Sequence, residues 1–478
     1  MADSRITRPA RLAFLLALCA VGCATPTETA GGGGSDDDGE PPGLRDGYDA
    51  TTVPHWRHLR MQMSDYRTQY LPDATARSVE YAWTAQHFDR IILDGGDSRS
   101  VPEYRRLMPD AELYRYVLTW TVVSPSAGWS PEPATSYYTH MQQWYAQHPQ
   151  YRLEDAFLHD ATQCGSTSRT ESCRISLHIW TSDRWVTNPA DPGLRAYNRE
   201  RLTAIAADAD GLFIDEHSSG DMIDRLQGRA IVEYPEWSAY ERDVVQLLAD
   251  IRAAVGKRLL LNTYNYATPW DVQMTTTAGG AHAEAFNNPL YAEMEKRWRH
   301  AEQVLAAGAS LNILPQDVDL PGSYTAGNFD TPTSRRRIWD LASYYLVAPA
   351  QPGLFYLNSI GDKHGEPYAT KWVGAVEANV GMPLAARRVV AEGTDAAGQR
   401  YRVWARDYER ALVLVRAVIE RGGTSYGEES AVDVALPSGE RFRPLTIDGH
   451  VGPAIETLRL RAGEAAILIK EGRVAIDN

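Results

Sequence analysis

From about residue 55 the chain alternates short apolar runs with segments whose apolar residues recur at helical spacing. The apolar runs predict strands at Leu59–Met63, Arg90–Asp94, Leu113–Thr121, Arg184–Asn188, Gly211–Glu216, Arg258–Tyr264, Ala281–Phe286 and Ser310–Leu314. Between them the helical spacing predicts Ala74–Gln86, Thr135–Gln147, Gly193–Ala207, Trp237–Val255, Leu290–Ala307 and Ser334–Val347. Runs such as RIILD, LFID and RLLLN lack the polar alternation of a half-exposed strand, so both faces of their sheet must be covered. Eight alternating units of this kind predict an α/β fold, a (β/α)8 TIM barrel. An open doubly wound sheet usually carries a nucleotide fingerprint after its first strand, and none is present. The pattern changes character around residues 358–380. Beyond Gly381-Met382-Pro383-Leu384 it becomes short strands and turns, from ARRVVAEG to EAAILIK, which predicts a small antiparallel β-sandwich domain. The expected boundaries are 49–372 for the barrel and 373–478 for the β-domain.

The first residues read as an address. Arg5, Arg8 and Arg11 precede the apolar run LAFLLALCAVG, which suits the centre of an export signal over residues 1–22. Ala20-Val21-Gly22-Cys23 resembles the lipobox of bacterial lipoproteins, which implies cleavage before Cys23 and its lipidation. Residues 23–48 include GGGGSDDDGEPP, a flexible acidic tether. The expected location is therefore outside the cytoplasm, anchored by lipid to the cell envelope, at the outer membrane or cell surface. The two cysteines beyond this region, Cys164 and Cys173, lie in the polar segment CGSTSRTESC and read as a local disulfide in an oxidising compartment.

Charge narrows the partners. A formal net charge of −14 with no basic run argues against nucleic acid, which needs a concentrated positive face. With 25 Tyr and 13 Trp against 8 Phe, the aromatics are weighted towards rings that pair an apolar face with a polar edge, as in a partly wet binding cleft. No H-x-H, H-E-x-x-H or cysteine cluster suggests a metal, and no cofactor is expected. A Ca²⁺ site built from oxygens needs no short motif and stays open. Gly423-Thr424-Ser425-Tyr426-Gly427 matches a serine-hydrolase elbow but falls between two strands of the β-domain, and reads as a loop.

The informative chemistry lies in ADGLFIDEH. An apolar strand ending in adjacent carboxylates delivers acid to the C-terminal mouth of a barrel. Alternation places Asp215 on the face of Phe213, with Glu216 pointing away unless the chain has turned. In GAHAEAFNN, Glu284 interrupts an apolar strand near its end, with His282 on the same face. Carboxylates on two barrel strands meet the requirement of glycoside hydrolysis, one protonating the leaving oxygen and the other acting as nucleophile or base. Asp215 and Glu284 are the first candidates, and Glu216 is the reserve. Strand-end aromatics Trp120, Trp185 and Tyr264 could stack on sugar rings. Asp94, Asp160, Asn188, Asn262 and Asp317 could bind hydroxyls.

The order RIILDGGD, YRRLMPDAELYRYVLTWT, AFLHDATQCG, WVTNPADPGLRAYNRERL, DGLFIDEH, HAEAFNN, NILPQ and YYLVAP resembles the glycoside-hydrolase-like TIM barrels, over roughly residues 59–358. WVGAVEANVGMPL and the β-domain continue the resemblance. It implies a TIM barrel with the Asp of the DGxFxD strand and a later strand-borne Glu as the acid/base and nucleophile pair, here Asp215 and Glu284. Two functions follow as expectations. One is a hydrolase of an extracellular or cell-envelope polysaccharide. The other is a surface lipoprotein that binds glycan on the same barrel without chemistry.

Overall fold

The computed structural model describes residues 59–66, 68–97, 99–124, 137–179, 182–217, 222, 225–263, 268–283, 294–313, 332–349, 354–361, 374–417 and 427–471. Its strands, in chain order, begin with β1 (Arg60–Asp65), β2 (Arg90–Leu93), β3 (Glu112–Leu118), β4 (Thr121–Val123), β5 (Ser176–Ile179) and β6 (Ser182–Val186). They continue with β7 (Gly211–Asp215), β8 (Arg258–Asn262), β9 (Gly280–Ala283), β10 (Ser310–Ile313) and β11 (Leu354–Gly361). Strands β1, β2, β3, β7, β8, β9, β10 and β11 pair in that order, all parallel, and β11 closes back on β1. The result is the closed eight-stranded barrel that the uninterrupted apolar runs predict.

One of its staves differs from expectation. Arg184–Asn188 does not join the barrel: β6 pairs antiparallel with β4 and β5 in a small sheet inserted between β3 and β7. The eighth barrel strand is β11, which the apolar runs did not single out and which ends inside the stretch where the pattern changes character. The predicted strand Leu113–Thr121 also divides, ending as β3 at Leu118 and resuming as β4 in the inserted sheet. Apolar spacing reports burial, and a strand buried in an insertion carries the same spacing as one in the barrel.

Local chemistry sets the helix ends. Asp73 caps Ala74–His87 by accepting from the Thr75 amide, and Asp191 caps Pro192–Ile205 by accepting from Leu194. Trp237–Val255, found as expected, stops at Gly256 in the left-handed conformation. Ser100–Leu107 and Pro269–Ala278 were not expected. The second carries a weak apolar pattern, TTT at its end, and is fixed instead by a Thr268–Asp271 capping box.

The C-terminal strands are β12 (Arg388–Thr394), β13 (Arg400–Asp407), β14 (Ala411–Ala417), β15 (Val432–Ala435), β16 (Phe442–Pro444), β17 (Thr457–Leu460) and β18 (Ala465–Lys470). They form a five-stranded antiparallel sheet, β12-β13-β14-β18-β16, and a β15-β17 ribbon. Leu412 and Leu414 join an apolar cluster with Val432, Val434 and Leu460 of the ribbon. Val413 and Val415, facing the other way, join the cluster that includes Trp339 and Tyr345 of the helix Pro332–Val347. Strand β14 is therefore buried on both faces, which explains the unbroken ALVLV. The expected signal and tether, residues 1–48, and the boundary at 372/373 lie outside the described residues.

Candidate active site

Period two sends Ile92, Tyr114, Phe213 and Leu260 into the barrel interior as an apolar layer, with Tyr66 and Tyr116 packed against it. Polar side chains also cross the interior. Arg90 donates to Asn312 Oδ1 at 2.6 Å, and Gln62 reaches His282 at 3.3 Å. Gly211 is required here. A Cβ on it would lie 2.5 Å from the Tyr114 ring and 2.3 Å from the Arg258 carbonyl oxygen. Gly95, just past β2, would likewise put a Cβ 2.4 Å from the Tyr116 carbonyl oxygen.

Two residues beyond Phe213, β7 ends at the barrel mouth with Asp215. Its Oδ2 accepts from the Tyr116 hydroxyl at 2.5 Å. Its Oδ1 accepts from Asn262 Nδ2 at 2.6 Å and from the Glu216 amide at 2.8 Å. Burial pushes the Asp215 carboxyl above its ordinary range, while Tyr116, Asn262 and the Arg184 charge oppose the shift. Burial and the adjacent Asp215 raise Tyr116 far above the usual phenol range, so it stays a donor. The carboxylate is thus held by three donors in one orientation, and these favour its ionised form.

Glu216 has turned away. Among the described residues it is the one non-glycine with a positive φ, 63°. Its carboxylate enters the inserted sheet, where Arg184 of β6 pairs with Oε1 and Thr121 of β4 donates to Oε2 at 2.6 Å. His217 follows, buried, with Nε2 2.6 Å from Thr119 Oγ1; burial pushes it down to about 3, so the ring is neutral.

The structure brings Asp215, Glu216 and Asn262 together, while Trp120, Asp160, Trp185 and Asn188 lie elsewhere. Trp120 is 2% exposed in the apolar cluster outside the barrel, its indole donating to Tyr240, and it presents no face for a sugar. Asp160 caps the short helix Ala161–Cys164 through Thr162. Trp185 packs on Tyr138, Phe157 and the Arg174 guanidinium. Asn188 shapes a turn, donating to the Asp155 carbonyl and accepting from the Ala190 amide. These four belong to the insertion between β3 and β7. Asp94 stands at the end of β2 and accepts from Tyr70 at 2.7 Å. His282 is a core histidine against Phe213, pushed down to about 3 by burial. Cys164 and Cys173 form the expected disulfide. Glu284, Tyr264, Asp317, Cys23 and the elbow-like residues 423–426 lie outside the described residues. Among the described residues, no group of three His, Cys, Asp or Glu side chains is placed to hold a metal ion.

Sequence reasoning missed Tyr116, Thr121 and Arg184. Alternation in ELYRYVL does place Tyr116 on an inward face with Tyr114, a usable signal. Arg184 had none, because its strand was assigned to the barrel and its partner lies 32 residues away.

No family model matches this chain, and no curated protein matches its sequence. Among solved structures, it is similar to an α-amylase from Malbranchea cinnamomea at 11% identity and a TM-score of 0.44, covering 87% of this chain and 97% of that one. A cycloisomaltooligosaccharide glucanotransferase from Paenibacillus sp. is similar at 7% identity and a TM-score of 0.45, covering 87% and 84%. The glycoside hydrolase domain of PelA from Pseudomonas aeruginosa is similar at 14% identity and a TM-score of 0.35, covering 63% of this chain and 94% of that one. The barrel of this chain is established by its own strand pairing.

Proposed function

We propose that this chain is a glycoside hydrolase acting on an extracellular or cell-envelope polysaccharide, with Asp215 and Glu284 as its carboxylate pair. The observation that carries the reading is the Asp215 carboxylate at the C-terminal mouth, accepting from Tyr116, Asn262 and the Glu216 amide. The three donors favour the Asp215 anion against the burial that raises its pKa, and the anion is the form needed to attack an anomeric carbon or to take a proton from the attacking water. Glu284 then takes the complementary role. It gives its proton to the glycosidic oxygen as the C–O bond breaks, and water supplies the new hydroxyl.

A panel of polysaccharides assayed for new reducing ends tests this reading. Asp215→Asn and Glu284→Gln should each lower turnover by about 10²–10⁴-fold while leaving binding in place. Full activity in both variants would overturn it. Glycan binding without turnover, unaltered by either substitution, would identify the non-catalytic binder instead. Export and lipidation at Cys23 belong to the same proposal: Cys23→Ser should release the protein from the membrane fraction and abolish incorporation of labelled fatty acid.

A further inference from the structure

The reserve candidate Glu216 and the unforeseen Arg184 form one device. Both oxygens of Glu216 are engaged, Oε1 by Arg184 and Oε2 by Thr121, and its side chain is only 9% exposed. Little of it is left open to a substrate. Its backbone is the unusual part, since a left-handed glutamate is strained and persists only where surrounding contacts over-determine it. Here the contacts come from β4 and β6, outside the barrel. The consequence falls on Asp215: the amide of this turned residue donates to Asp215 Oδ1 at 2.8 Å.

We propose that Glu216 and Arg184 are positioning residues, a clamp by which the inserted sheet holds the turn after β7 and so fixes the orientation and electrostatic surroundings of Asp215. This rests on Asp215 acting as proposed above. Among the described residues, the charged and titratable groups around Asp215 are Tyr116 from β3, Arg184 from β6, and the adjacent Glu216 and His217, with Tyr66 and Arg225 acting on Tyr116 and Arg184. Arg184 favours the Asp215 anion and is paired with Glu216, and a carboxylate this close to Asp215 disfavours a second negative charge.

The two halves of the clamp therefore have opposite signs. Glu216→Gln removes a negative neighbour and frees Arg184, so the acid limb of the kcat/KM profile should move to lower pH. Arg184→Gln should move it to higher pH, each by roughly half a unit or more. Because Arg184→Gln strands a buried carboxylate and could unfold the insertion, the double variant Arg184→Gln/Glu216→Gln is measured beside it, and its limb should fall between those of the two single variants. A purely structural pair would lower activity without moving the limb. An unmoved limb in Glu216→Gln, or a double-variant limb outside the range of the two single variants, overturns the proposal, as does a Glu216→Gln activity no greater than that of Asp215→Asn. A carboxyl ¹³C titration of Asp215, assigned by its loss in Asp215→Asn, reads the same shifts without substrate. If no glycan is cleaved the hydrolase reading fails, while this titration still decides the clamp, an unshifted Asp215 in the variants overturning it.

Discussion

The Tyr116 hydroxyl is the shortest of the three donors on Asp215 and the easiest to remove without disturbing packing. Tyr116→Phe keeps the ring against Phe213 and Tyr66 and deletes only the bond. A hydrogen bond to a charged group is worth about 1.5–3 kcal/mol. Its loss disfavours the Asp215 anion, so the acid limb of activity should rise in pH and kcat/KM at low pH should fall by about tenfold or more. An unchanged pH profile would remove Tyr116 from the site. Gly211 offers a stability test at the same scale. Gly211→Ala forces a methyl into the Tyr114 ring and the Arg258 carbonyl, and overpacking of this kind costs about 1–3 kcal/mol, read as a lower urea midpoint.

Among the elements, the insertion between β3 and β7 has its own means of support. The Cys164–Cys173 bridge closes a short loop beside a buried charge network. His159 lies between Glu233 at Nδ1, 2.8 Å, and Glu154 at Nε2, 2.9 Å, while Arg174 grips Glu154 and stacks on Phe157. Burial alone would push His159 down, but the two carboxylates raise it from 6.5 to about 9. Burial likewise works against Glu154, which Arg174 and His159 hold down at about 2. A raised histidine contributes stability that is complete below pH 6.5 and is lost as pH climbs through about 9. A depressed glutamate contributes above its ordinary 4.5 and loses that contribution as pH falls towards 2. Amide exchange in residues 154–188 should therefore accelerate between pH 7 and 10, after correction for the intrinsic rate. His159→Gln should flatten that dependence. Converting both cysteines to alanine should cost about 2–3 kcal/mol in the chain-entropy picture, seen as a lower midpoint under non-reducing conditions.

At the scale of the molecule, the barrel and the C-terminal sheet share an apolar cluster running from Leu59 and Met61 to Val413 and Ile467. Arg406 of β13 closes the contact, donating to the carbonyls of Tyr345, Leu346 and Ala348 at the end of the helix Pro332–Val347. Those carbonyls are among the orphan acceptors that every helix leaves at its C-terminus. Arg406→Met would preserve the aliphatic stem and remove a charged donor from these carbonyls, of which Tyr345 still accepts from the Tyr408 hydroxyl. A loss of about 1.5–3 kcal/mol is expected, with one cooperative transition retained in calorimetry. Two separated transitions would show that the shared cluster does not couple the units.

The sequence by itself determined the barrel, the β-rich C-terminal part, the disulfide and the strand that delivers Asp215 to the mouth. Each is written in local quantities, such as apolar runs too long for a half-exposed sheet, a period of two, or two cysteines close along the chain. Only the tertiary structure decided which runs pair with which. It moved Arg184–Asn188 out of the barrel and brought β11 in, because burial leaves the same spacing whichever sheet supplies it. Trp120 and Glu216 show the same division at single residues. Both are strand-end side chains in the sequence, yet one is enclosed by a core and the other is turned aside by an arginine from an inserted sheet. Contacts between distant segments depend on loop geometry and on the charges that folding places side by side, and no local pattern encodes either.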